Sequence, residues 1–223
     1  MIWSNLSTKV RWLGEGVMRG SLRKFYLGAI LCSLTGVAVA APLTVVKVAA
    51  PDINCVFETD CTVTVTDSVG NIALPNITGI AWLQSRTFAG QPGAPGAGKT
   101  AYEYRVDLTQ ATAVGDVACV TGLEVDFGPV TKLQYNKVGP ADDVFVVTKG
   151  GLGTIGLASA EQNRNVITFT FSQPVCAADT SGPGDTTFFF GLASIHPPKA
   201  IAASIEAPGI FPDLIVRARA PNH

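Results

Sequence analysis

Histidine is almost missing from this chain, with two in 223 residues, and only His196 stands away from the C-terminal end. A Ser–His–Asp hydrolase would have to recruit it. No G-x-S-x-G elbow occurs, and Pro197-Pro198 follow at once, so His196 reads as a loop histidine where a strand stops. The same scarcity, with no C-x-x-C pair, argues against a zinc site. Charge is sparse as well, at 15% of residues. No basic stripe exists to displace counterions from a phosphate backbone, which argues against nucleic acid as a partner. Runs of Ala, Glu, Lys and Leu are lacking, so a helical bundle is not expected. Beyond residue 41 Trp82 is the sole tryptophan, which excludes a flat multi-tryptophan sugar platform and suggests a core role.

What is present points to a folded, turn-rich domain. Hydrophobic residues make up 47%, with 23 glycines and 14 prolines, a composition of short strands and many turns. The length suits one domain. Arg19, Arg23 and Lys24 precede an apolar run from Phe25 to Ala40 that closes on Ala38-Val39-Ala40-Ala41-Pro42. A charged start, a modest apolar middle and an A-x-A exit predict a secretory signal peptide within residues 1–41, cut after Ala40. The run is short for a membrane span, and Cys32 lacks the small preceding residue of a lipoprotein signal. MRGSLRKFYLGAILCSLTGVAVA is a complete leader by itself, so Met18 is a candidate start. Residues 42–223 are then a single exported domain, secreted or periplasmic, with no membrane role once the leader is gone. Eleven basic and 16 acidic residues follow residue 41, giving a mildly acidic surface.

Export agrees with the cysteines. Without Cys32 four remain, Cys55, Cys61, Cys119 and Cys176, and an even number in an exported chain suggests disulfides. Three pairings are open. Cys55–Cys61 and Cys119–Cys176 are favoured, one spanning a short loop and the other joining distant strands.

Tyr102-Glu103-Tyr104-Arg105-Val106-Asp107-Leu108 alternates without error, which places Tyr102, Tyr104, Val106 and Leu108 on one face of a strand and the charges on a face toward water. Val63 and Val65 alternate with threonines, Leu123–Phe127 with acids, and Ile167–Phe171 with threonines. Less regular strand candidates are 43–49, 77–88, 130–135, 144–149, 186–194, 200–206 and 214–218. Val69-Gly70-Asn71, Val138-Gly139-Pro140 and residues 181–184 read as turns, 115–119 and 158–163 as the places that could hold a helical turn, and 219–223 as a frayed tail. The pattern predicts an all-β fold, an antiparallel β-sandwich of jelly-roll or immunoglobulin-like type, with about 9–11 short strands.

Two stretches imitate nucleotide motifs. Gly93–Thr100, GAPGAGKT, fits the phosphate-loop pattern, but such a loop must open a helix whose amides face the anion. Here the clearest strand follows Thr100, and Pro95 removes an amide. Residues 89–100 therefore read as a flexible, low-complexity surface loop that does not pack as an element, and no nucleotide is expected. Gly151–Gly156, GLGTIG, fits the dinucleotide pattern, but too few residues follow for a crossover helix, so it reads as a hairpin connection.

The remaining candidates are few. Asp142-Asp143 and Asp179 with Asp185 sit in loops whose oxygens could hold calcium, although neither matches a known calcium loop; no other cofactor is implied. Phe188-Phe189-Phe190 cannot all face one way, so Phe189 opposes its neighbours and contacts a glycan or protein unless a loop covers it. Phe189 and Trp82 are thus the candidate ligand contacts. The leading expectation is a non-catalytic exported protein with a binding, adhesion or envelope-structural role. The alternative is a secreted hydrolase acting on carbohydrate through paired carboxylates.

Overall fold

A computed structural model describes residues 40–136, 138–180 and 182–223. The expected leader, including Met18 and Cys32, lies outside the described residues except for its last two positions, as does Ser181. Along the chain run β1 (Ala41–Pro42), β2 (Val45–Ala49), helix α1 (Ala50–Phe57), β3 (Thr66–Asn71), β4 (Ile77–Ala89), β5 (Thr100–Ala113), β6 (Cys119–Asp126), β7 (Val144–Lys149), β8 (Leu157–Asn163), β9 (Val166–Cys176), β10 (Phe190–Ser194), β11 (Pro198–Glu206) and β12 (Leu214–Pro221). One sheet has the order β1-β8-β9-β6-β11-β12 and the other β2-β7-β10-β5-β4-β3. The fold is an all-β sandwich.

Alternating apolar residues from both sheets meet between them. Tyr102, Tyr104, Val106 and Leu108 of β5 join Leu123 and Val125 of β6, Ile167 and Phe169 of β9, and Phe190 of β10 in one buried cluster. Phe169 packs on Phe190 with ring centroids 4.9 Å apart. Each such side chain withdrawn from water contributes about 1.5–3 kcal/mol. The two phenols of this cluster are paired: Tyr102 donates to the His196 carbonyl at 2.8 Å and Tyr104 to the Arg219 carbonyl at 2.7 Å. Cys119 and Cys176 are direct partners across β6 and β9 and form a disulfide; Cys55 and Cys61 form the second.

Several expectations are corrected. Among the described residues twelve strands form, against about 9–11 expected, and the pairing is not wholly antiparallel, because β2 runs parallel to β7. The Val63–Val65 stretch lies outside any strand; the Cys55–Cys61 bond turns the chain back under α1, and Val63 packs against the cluster beneath the helix. Val69-Gly70-Asn71 is not a turn but the end of β3. Glycine is needed at 70 because β12 passes so close that a Cβ would strike the Arg217 carbonyl. Residues 158–163 are β8 and not a helical turn, while 115–119 form a bend leading into β6. The 130–135 segment makes only the isolated bridges Thr131–Ala193 and Leu133–Asp142, and the strand foreseen at 186–194 begins at Phe190. The GLGTIG stretch links β7 to β8, which belong to different sheets, so it is no hairpin. The end is not frayed through Arg219, since β12 pairs with β11 as far as Pro221.

The GAPGAGKT loop leads into a strand at Thr100 and so presents no helix N-terminus. It nevertheless packs. Its amides and carbonyls close turns, the Gln91 amide donates to the Phe57 carbonyl at 2.8 Å, and the Gly96 amide donates to that of Val56 at 2.7 Å. These bonds cap the last turn of α1, whose free carbonyls need donors. Glycine at 96 allows that approach, because a Cβ there would crowd the Phe57 ring at 2.7 Å.

Candidate functional site

Helix α1 changes the character of the sheet beneath it. Ile53, Val56 and Phe57 pack on Phe88 of β4, Ala101 of β5, Phe145 and Val147 of β7, and Phe189, giving a second buried cluster on the outer face. The expected wet face of β5 is largely dry: Glu103, beside the helix, is 6% exposed, and Asp107, paired with Arg105 and bridged to Thr186, is 3% exposed. The helix arises where Pro51 can occupy a first-turn position, and its apolar residues at 53, 56 and 57 follow helical spacing.

Pairing places the charged residues in rows. Asp67 of β3 pairs with Arg86 of β4, Arg86 with Glu103 of β5, and Glu103 with Gly191 of β10. Residues directly opposite one another share a face, so these side chains all stand on the outer side. Gly191 carries none, and a Cβ there would meet the Tyr102 carbonyl and the Phe145 ring.

The polar groups then sort into satisfied and unsatisfied. Arg86 donates Nε to Asp67 Oδ1 at 3.0 Å, Gln84 Nε2 reaches the same oxygen at 2.9 Å, and Arg105 Nε donates to Gln84 Oε1 at 3.2 Å. Arg105 Nη2 lies 2.9 Å from Asp107 Oδ2. Both guanidinium groups cover the Phe189 ring, Arg86 at 4.1 Å and Arg105 at 5.2 Å from its centroid, a cation–π arrangement. Burial lowers the Arg105 pKa while Asp107 opposes that effect. The Glu103 carboxyl, by contrast, has no hydrogen-bond partner among the described residues. Burial raises its pKa to about 7, an effect that Arg86 reduces and Asp67 reinforces.

Glu103 lines a hollow of about 390 Å³ between α1, the 63–65 segment and the 150–152 turn, a size suited to a small ligand. Ile53, Val63, Val65, Phe88, Val147 and Leu152 give it apolar side chains, about half of its wall surface is polar, and Arg86 and Glu103 are the charged residues lining it. The hollow thus sets a cation and a carboxyl without a protein hydrogen bond beside a group of apolar side chains.

Phe189 belongs to this site, at its floor. It does oppose Phe190, but it is 4% exposed and its ring lies under two arginines, so it offers no open contact surface. Trp82 is half-buried on the same outer face of β4, across from Asp107, and is neither in the central core nor among the lining residues. The acidic residues suggested for calcium do not assemble, and no group of three potential metal ligands occurs among the described residues. Asp143 is buried and accepts from Thr44 N at 2.9 Å, Thr44 Oγ1 at 2.8 Å and Lys132 Nζ at 2.8 Å. Burial would raise its pKa, but these bonds outweigh burial and hold it below the ordinary value. Asp185 Oδ2 accepts from the Cys176 amide at 3.1 Å, whereas Asp142 is half-buried and Asp179 exposed. Asp143 and Asp185 are clamps within the fold.

Sequence reasoning puts Glu103, Arg105 and Asp107 on one strand face but does not mark them as a site. The missing element is α1, without which that face looks solvated. No protein-family model matches this chain, and no curated protein or solved structure matches it.

Proposed function

We propose that this chain is an exported, non-catalytic β-sandwich protein with a binding role, and that it binds its ligand in the hollow on the outer face of the second sheet. The observation that carries this reading is Glu103, a largely buried side chain with no protein hydrogen bond, whose carboxyl faces the hollow beside Arg86. The protein itself supplies no hydrogen bond to this carboxyl, which leaves it available to a molecule bound in the hollow. Two disulfides support an oxidising compartment, which agrees with secretion or release into a periplasm.

A hydrolase acting through paired carboxylates is less well supported. Glu103 has the raised pKa of a general acid, but glycosidase chemistry requires a second carboxyl free to act on the same bond. Asp67, which also acts electrostatically on Glu103, is held by Arg86 and Gln84 and is not among the residues lining the hollow. Binding is tested by ligand-observed NMR against a small-molecule and glycan panel, using the native protein and Leu152→Glu. Leu152 is 56% exposed at the rim, so this change alters the entrance and spares the core. The expected result is a bound compound that Leu152→Glu releases without lowering the melting temperature. Turnover of a glycoside panel, abolished in Glu103→Gln, would replace this reading with the hydrolase.

A further inference from the structure

The chemistry of the hollow narrows the class of ligand, on the premise that the hollow is a binding site. Three features decide it. The first is Glu103, more than nine-tenths buried and without a hydrogen-bond partner. The second is Arg86, whose ion pair with Asp67 uses Nε and whose guanidinium lies over Phe189; among the described residues its two Nη groups make no hydrogen bond. The third is the neutral lining: α1 contributes Ala50, Ile53 and Asn54, and the 150–152 turn contributes Gly150, Gly151 and Leu152.

We propose that the hollow binds a monocarboxylate with an apolar body, the ligand's carboxylate accepting one hydrogen bond from the Arg86 Nη groups and another from the Glu103 carboxyl. The charge balance favours this class. Arg86 is paired with Asp67, and Arg105, beyond Phe189, is paired with Asp107. A ligand ammonium would have to sit beside the Arg86 guanidinium. A ligand carboxylate finds that guanidinium as a charge-assisted donor, the pairing for which arginine's fork is suited. A neutral alcohol could satisfy Glu103 but would leave Arg86 without an acceptor.

A protonated Glu103 donates and an ionised one repels the ligand, so affinity must fall as pH rises. The other charged groups facing Glu103 are Arg86 from β4 and, behind it, Asp67 from β3; α1, the 63–65 segment and the 150–152 turn present no charged side chain to the hollow. With Glu103 titrating at about 7, its protonated fraction drops about tenfold between pH 6 and pH 8, and affinity should drop about tenfold with it. A simple aliphatic acid is ionised across that range, so its own titration does not contribute.

The test is calorimetric titration of the native protein with octanoate, octylamine and octanol at pH 6 and pH 8. Octanoate should bind, about tenfold more tightly at pH 6. Glu103→Gln, which keeps a donor but cannot ionise, should bind octanoate equally at both pH values, with folding checked by its melting curve. Binding of octylamine or octanol in preference to octanoate, or octanoate affinity that rises with pH, overturns the carboxylate assignment and leaves the binding site standing. If none of the three binds while the panel screen yields a compound released by Leu152→Glu, the carboxylate assignment falls alone. If the screen is also empty, the binding function falls with it.

Discussion

Raising the pH through neutrality should destabilise this protein by way of one side chain. The Glu103 carboxyl moves from an ordinary value of 4.5 to about 7 on folding, and every tenfold change in proton affinity corresponds to about 1.36 kcal/mol. Because the folded value is the higher one, the folded state binds the proton more tightly. Its contribution is present in full below pH 4.5, declines between 4.5 and 7, and is lost above 7. Ionised Glu103 therefore costs the folded state about 3 kcal/mol at pH 8.5 relative to acid, a large share of the 5–15 kcal/mol typical of a domain. Glu103→Gln removes the titration and nearly preserves the shape. Urea unfolding followed by tryptophan fluorescence at half-unit steps from pH 4.5 to 8.5 gives the two stability curves. Their difference isolates Glu103 from every other titrating group, and it should grow in favour of the variant by about 3 kcal/mol, levelling off above pH 7. A difference that stays constant over the range would contradict this account, because it would mean that the carboxyl is solvated or paired in the folded protein.

Two further outcomes follow from the fold. Replacing both Cys119 and Cys176 by serine frees residues separated by 57 positions, and the chain-entropy relation predicts a loss of about 4 kcal/mol in urea unfolding; a loss below about 1 kcal/mol would show that the cross-strand pairing restrains the chain without the bond. Asp143→Asn removes a carboxylate held by Lys132 and Thr44 and should cost about 1–3 kcal/mol at pH 7. Since the folded pKa of Asp143 is depressed, that cost should shrink as the pH falls below the ordinary aspartate value, and a cost that persists unchanged at pH 2.5 would count against the clamp.

Much of the architecture can be read from period-two alternation. The strands containing Tyr102–Leu108, Leu123–Val125 and Ile167–Phe171 form the sandwich interior as the pattern requires, because one face of each must be apolar to be buried. The two disulfide pairings are legible from spacing. The site is not, for a physical reason: Glu103, Arg105 and Asp107 carry the polarity of a wet face, and the eight-residue helix that walls the hollow beside Glu103 leaves no mark on that strand's pattern. That helix has only two turns and contains a proline, so local sequence offers little sign of it. Gly70 misleads in the opposite sense. It resembles a turn residue, whereas its lack of a side chain serves the passage of β12 behind β3. Close approach between distant segments leaves no periodic trace.

The parallel seam between β2 and β7 bears on how the molecule comes into being. Thr44 and Asp143, which clasp one another at the head of that seam, are 99 positions apart, and β1 waits for β8 in the same way. During synthesis from the N-terminal side, the 41–49 segment has no strand partner until β7 and then β8 have been made. Closing so wide a loop is entropically slow. The first strands of the sandwich are thus among the latest to pair.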